Sequence, residues 1–138
     1  MTGASGAIAS RDRRRGHLLV VDGEHRVGGG LQQFLSRDHD VEIASLAAEV
    51  VRRIDGGAHF DVILCDVMIR DGTGPELCAK LSVAHPEQAA GMVFMTDGAM
   101  SEPARESLAK MSNLCIRRPF DVDGMRALVW RRMALGRT

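Results

Sequence analysis

Five short apolar runs limit what this chain can fold into: LLVV (18–21), VEIA (41–44), VILC (62–65), MVFM (92–95) and LCI (114–116). Three of them are apolar at four consecutive positions, so a strand built from one has no solvent face and must be covered on both sides. The segments between them, about 26–37, 45–55, 75–84, 101–111 and 121–135, read as helices. Strands alternating with helices form a parallel sheet with right-handed crossovers. The expected fold class is therefore α/β, a doubly wound five-stranded parallel sheet with flanking helices.

The helices are unequally supported. Asp121 can cap the last one, and Val122, Met125, Leu128, Val129 and Met133 recur at helical spacing as a core stripe. Gly28, Gly29 and Gly30 each weaken the first by about 1 kcal/mol against alanine, so that helix is expected to start late or fray. Neither GxGxxG nor the GxxxxGK phosphate loop can be laid on VDGEHRVGGGLQQ, which argues against a nucleotide loop. RDHD (37–40) reads as a turn, and HPEQ (85–88) as a helix stop followed by a loop.

With 138 residues the chain supports one core, expected over 16–138, behind a flexible Gly, Ala, Ser and Arg tail at 1–15. Its 18 Lys plus Arg balance 18 Asp plus Glu, so no global field draws it to nucleic acid or an acidic membrane. RDRRR in the tail, without aromatics or a second basic face, is a weak nucleic-acid signal. Cys65, Cys78 and Cys115 are far apart, leave one over and lack CxxC spacing, as in a cytoplasmic protein with reduced thiols. No apolar run approaches the roughly 18 residues of a membrane span. His17, His25, His39, His59 and His85 fall mostly at element edges without ligand-like spacing and are expected at the surface or at boundaries.

Ligands of an open parallel sheet bind beyond the carboxyl ends of its strands. Asp22 ends the first strand, Asp66 the third, Thr96 the fourth and Arg118 the fifth, just before Pro119. Two acids, a hydroxyl and a guanidinium on one rim suit phosphoryl chemistry. A carboxylate oxygen attacks phosphorus, a cation screens the charge, and the hydroxyl and the basic group hold phosphoryl oxygens.

In these residues, and in LLVVDGE, FDVILCDVMIRDGTGPEL, MVFMTDGA and RRPFDVDGMRALV, the chain resembles the receiver domains of two-component response regulators from 17 to about 134. The resemblance implies a flavodoxin-like (βα)5 architecture with strand order 2-1-3-4-5. It implies that a histidine kinase or phosphotransfer protein donates a phosphoryl group to Asp66. Mg²⁺ would be held by Asp22, Asp66 and the backbone carbonyl of Met68, and Thr96 and Arg118 would contact the phosphoryl group. It further implies a non-enzymatic signalling role, output to a downstream protein through about 101–135, and a homodimer as one open arrangement. No effector domain follows GRT, so output is expected from a partner or from a longer protein.

Several positions depart from the receiver pattern. Gly23 stands where receivers usually carry a second acid. Glu24 is a badly aimed substitute, because neighbouring side chains of extended backbone point apart, and Mg²⁺ binding is expected to be weak. Arg118 replaces a lysine, and its planar fork is able to clamp Asp66. Cys115 replaces an aromatic residue, Arg70 a proline, and Asp97 a small residue, the last adding negative charge near the rim. Simpler roles stay open: Asp66 as a relic that only folds, Thr96 as the cap of the following turn, Arg117 as a solvated charge. The Arg118–Pro119 bond is expected to be cis, as it often is in receivers.

Two functions compete on this footing. One is a receiver phosphorylated on Asp66. The other is a pseudo-receiver, a protein–protein interaction module independent of phosphorylation, which Gly23, Arg118 and Cys115 favour. LLVVDGEH also loosely resembles the first motif of haloacid dehalogenase-like phosphatases, with Asp22 as nucleophile and Glu24 as acid, but the chain has little room for their further acidic motifs and cap. A flavodoxin-like electron carrier would need a Ser/Thr cluster after the first strand, and there is none.

Overall fold

Alternate residues of the central strands feed two separate cores. Leu18 and Val20 of β1 (His17–Val21) and Val62 and Leu64 of β3 (Val62–Asp66) enter one, while Leu19, Val21, Ile63 and Cys65 enter the other. Period-2 alternation with both sets buried is what a fully apolar strand imposes. β6 (Met92–Thr96) repeats the pattern, with Val93 and Met95 on the first side and Met92 and Phe94 on the second. The computed structural model describes residues 14–23, 28–118 and 120–136.

The remaining elements are α1 (Gly28–Leu35), β2 (Asp40–Ala44), α2 (Ala47–Asp55), β4 (Met68–Ile69), β5 (Gly72–Thr73), α3 (Gly74–Ala84), α4 (Pro86–Ala90), α5 (Glu102–Ala109), β7 (Cys115–Arg117) and α6 (Val122–Gly136). The main sheet runs β2-β1-β3-β6-β7, all parallel, which is the expected order with β6 and β7 as fourth and fifth strands. Leu35 of α1 and Met125, Val129 and Met133 of α6 cover the first core. Val50 and Ile54 of α2, Leu77, Cys78 and Leu81 of α3, and Ala104 of α5 cover the second.

Local chemistry sets the helix ends. Thr73 and Glu76 form a reciprocal capping box, with the Glu76 amide donating to Thr73 Oγ1 at 3.2 Å and the Thr73 amide to Glu76 Oε1 at 2.9 Å. Ser101 caps α5, and the Gly124 amide donates to Asp121 Oδ2 at 2.8 Å at the start of α6, as expected. Gly74 lets α3 begin hard against the sheet, since a β-carbon there would lie 2.8 Å from the Asp66 carbonyl oxygen and 3.0 Å from the Phe94 ring.

Three expectations are overturned, and one element had no sequence signal. His39 is 1% exposed and packs against Trp130 with ring centroids 4.4 Å apart and the planes tilted by 57°, because the turn before β2 folds inward under α6. Val122 is 53% exposed, so the core stripe of α6 begins at Met125. Residues 86–90 form a helical turn rather than a loop, started by Pro86 and held by the buried Gln88, whose side chain exchanges hydrogen bonds with both backbone groups of Phe60. A two-stranded hairpin, β4 paired antiparallel with β5, follows β3, and periodicity gave no sign of it.

Residues 1–13 of the expected tail, Glu24, His25 and Pro119 lie outside the described residues. Arg15, assigned to the tail on sequence, donates to Asp40 at 2.8 Å and to the carbonyls of Ser36 and His39. Among the described residues no helix is long and apolar enough to cross a membrane.

Candidate functional site

The carboxyl ends of β1, β3, β6 and β7 meet at one rim. Asp22 follows β1 and extends the ladder, its amide donating to the Ala44 carbonyl at 2.8 Å. Asp66 closes β3, flanked by the hairpin that carries Met68. Thr96 closes β6, and its carbonyl accepts from the Arg118 amide at 2.8 Å, which ties the turn after β7 to the end of β6.

A pocket of about 380 Å³ opens here, walled by Asp66, Met68, Thr96, Asp97, Arg118 and Gly23 among others. Three of the four rim residues read from the sequence therefore share one cavity. Asp22 is buried at 7% exposure and is not in the wall, and its effect on Asp66 is that of a nearby negative charge.

Asp66 is 6% exposed, and both of its carboxylate oxygens have partners. Oδ1 accepts from Arg118 Nη2 and Oδ2 accepts from the Gly23 amide. Burial pushes the Asp66 carboxyl above the usual carboxylate range. The Arg118 hydrogen bond and charge and the Gly23 amide pull it down by less, and the Asp22 charge adds to the rise. Arg118 Nε is buried without a partner, and the guanidinium carbon lies 6.0 Å from the centroid of the Phe120 ring. Arg118 pairs with Asp66 as expected, but through Nη2 alone rather than through both arms of its fork.

Thr96 Oγ1 accepts from the Gly98 amide at 2.9 Å, so in this state its hydroxyl caps the turn. Asp97 Oδ1 accepts from the Ala99 amide at 3.0 Å, and Asp97 and Arg118 also border a second, mostly apolar groove of about 590 Å³ with Leu31, Phe34 and Phe120. Arg70 and Arg117 are exposed.

Sequence reasoning treated Gly23 only as a missing acid. Its backbone amide turns out to be a direct partner of Asp66, a role that carries no side-chain signal. A β-carbon at Gly23 would lie 2.5 Å from Asp66 Oδ2 and 2.7 Å from the Met68 carbonyl oxygen. The Asp66 and Met68 oxygens expected to hold Mg²⁺ thus converge, yet they do not fit a cation in this arrangement. Each Asp66 oxygen already accepts from a donor, and one of these is the positively charged Arg118 guanidinium, which a cation at the same carboxylate would have to displace.

A five-stranded parallel sheet with a buried aspartate at the end of its central strand, a hydroxyl and a cation beside it, defines a receiver-type site. The response regulator receiver domain model matches residues 18–129, and the chain belongs to that family. It is 30% identical over 105 residues to Protein PetR of Rhodobacter capsulatus, covering 76% of this chain and 43% of that protein, so the chain spans less than half of that relative's length. In fold it is similar to a CheY-like response regulator receiver domain protein from Methanospirillum hungatei JF-1 (TM-score 0.74, 22% identity, 89% of this chain and 97% of that one). It is equally similar to the signal receiver domain of an HD domain-containing protein from Pseudomonas fluorescens Pf-5 (TM-score 0.76, 17% identity, 90% of each chain). Receiver domains generally are non-enzymatic signalling domains that bind Mg²⁺ at the phosphorylation site and interact with histidine kinases and effector domains.

Proposed function

We propose that this chain is a receiver that accepts a phosphoryl group on Asp66 and thereby alters a partner-binding face. The observation that carries the reading is the placement of Asp66 at the end of β3, in a pocket wall shared with Thr96 and Arg118. In the step proposed, an Asp66 carboxylate oxygen forms the bond to phosphorus as the phosphorus–nitrogen bond of a donor phosphohistidine breaks, and the freed imidazole takes up a proton. The donor is a histidine kinase or phosphotransfer protein in the cytoplasm. Arg118 moves its pairing from carboxylate to phosphoryl oxygens, for which its fork is equally suited. Thr96 leaves the Gly98 amide to donate its hydroxyl to the same group. Output is assigned to about 101–135. Mg²⁺ binding through Asp22, Asp66 and the Met68 carbonyl, with Glu24 as a further candidate, would require Asp66 to leave Arg118 first and is weak for that reason, and no step depends on it.

A second reading, a protein–protein interaction module that works without phosphorylation, is favoured by the full pairing of Asp66. Intact mass after incubation with a small phosphodonor and Mg²⁺ separates the two. A single phosphoryl adduct on the wild type and none on Asp66→Asn supports the receiver reading. Wild type without an adduct at saturating donor leaves the interaction module.

A further inference from the structure

The contact between Asp66 Oδ2 and the Gly23 amide exists only because residue 23 has no side chain. Any other residue there would put a β-carbon 2.5 Å from that oxygen and 2.7 Å from the Met68 carbonyl, well inside contact distance. Glycine therefore does two things at once. It removes an acid, and it opens the space in which Asp66 lies down on the main chain.

The other oxygen of Asp66 meets the Arg118 guanidinium, whose Nε has no alternative acceptor. Arg118 thus supplies one positive charge in contact with the carboxylate that a divalent cation would have to use. Mg²⁺ gives up its waters reluctantly and is usually held by carboxylates, while a guanidinium is more weakly hydrated and pairs readily in buried sites. Exchange of one for the other requires breaking a charge-assisted bond and leaving the half-buried Arg118 beside the incoming positive charge.

We infer that Arg118, together with the Gly23 amide, is a built-in substitute for the divalent cation, a latch on Asp66 whose closure and metal binding are mutually exclusive. It rests on the reading of this rim as the receiver's cation and phosphoryl site. It makes the identity of residue 118 the determinant of metal affinity, and it makes an oxyanion that competes with Asp66 for Arg118 the natural opener.

The test uses the full chain and Mn²⁺ alone, with unbound ion counted from its free-ion paramagnetic resonance signal. Arg118→Met is expected to bind Mn²⁺ at least about tenfold more tightly than wild type, because a charge-assisted hydrogen bond of the size lost corresponds to a decade or more in an equilibrium constant. Arg118→Lys keeps a charge without the fork, secures the result should the methionine variant not fold, and is expected to gain less in the same direction. The double variant with Asp66→Asn is expected to lose the gain. Wild type that binds Mn²⁺ as tightly as both Arg118 variants, or a gain that survives Asp66→Asn, overturns the latch. No phosphodonor is present, so absence of an Asp66 adduct leaves this result standing, and tight metal binding by wild type leaves phosphoryl acceptance standing.

Discussion

Asp71 caps a helix to which it does not belong: its Oδ1 accepts from the Ala47 amide at 2.7 Å, and its Oδ2 from the Ala48 amide at 3.1 Å. The residue before α2, Leu46, has no side chain able to do this, so the hairpin turn after Asp66 supplies the acceptor. Burial of the Asp71 carboxyl acts upward on its pKa, but these amides and its own outweigh it and hold the group below the usual value of 3.8. Asp71→Ala should destabilise the fold by about 0.5–1 kcal/mol, the lower part of the range for lost caps because the group is exposed. A carboxyl with a depressed folded pKa stabilises above its unfolded value and loses that contribution as pH falls through the folded one. Denaturant midpoints of wild type and Asp71→Ala should therefore converge below about pH 3.8 and differ above it.

Asp66 should show the opposite dependence. Its carboxyl is raised, chiefly by burial against the opposing pull of Arg118, so the folded state binds the proton more tightly than the unfolded chain. Charging it costs stability as pH rises from 3.8 through the folded value, and the cost is complete above that. Measured against Asp66→Asn over the same pH series, wild type should lose ground with rising pH. A constant difference would mean that Arg118 compensates the burial in full.

His39 links pH to stability from the base side. Burial, opposed in part by the Asp38 charge and reinforced by Arg15, holds its imidazole below the ordinary 6.5. Nδ1 accepts from the Gly16 amide at 3.0 Å, while Nε2 is buried without a partner. The unfolded chain takes up the proton first, so stability should drop as pH falls below 6.5 and level off under the folded value. His39→Asn, uncharged throughout, should flatten that part of the profile. Trp130, whose ring packs against His39, should report this titration in its fluorescence and remain insensitive to changes at Asp66.

Two helical glycines should respond to alanine with opposite signs. A β-carbon on Gly30 meets nothing within 4 Å, so Gly30→Ala should raise stability by up to about 1 kcal/mol through helix propensity. On Gly74 it meets the Asp66 carbonyl and Phe94, so Gly74→Ala should lose about 1–3 kcal/mol despite the same propensity gain. Thermal midpoints of the two variants measured side by side decide this, and movement in the same direction would refute the close-approach account.

What the amino-acid order determined by itself is whatever depends on near neighbours. Runs such as LLVV and VILC need cover on both faces, which dictated a parallel sheet, and the polar residue ending each run had to emerge at one rim. Asp22, Asp66 and Thr96 were legible for that reason, as was the cap that Asp121 gives α6, whereas Arg118 lies one residue beyond the end of β7 and was legible from the resemblance. The partners of those groups belong to the tertiary structure. Arg118 reaches Asp66 across 52 positions, Gly23 reaches it across 43, and Asp71 reaches Ala47 across 24. The inward turn of His39 and the docking of Gln88 on Phe60 are settled in the same way, because a buried polar group takes whichever donor or acceptor the packed layers bring within hydrogen-bonding reach.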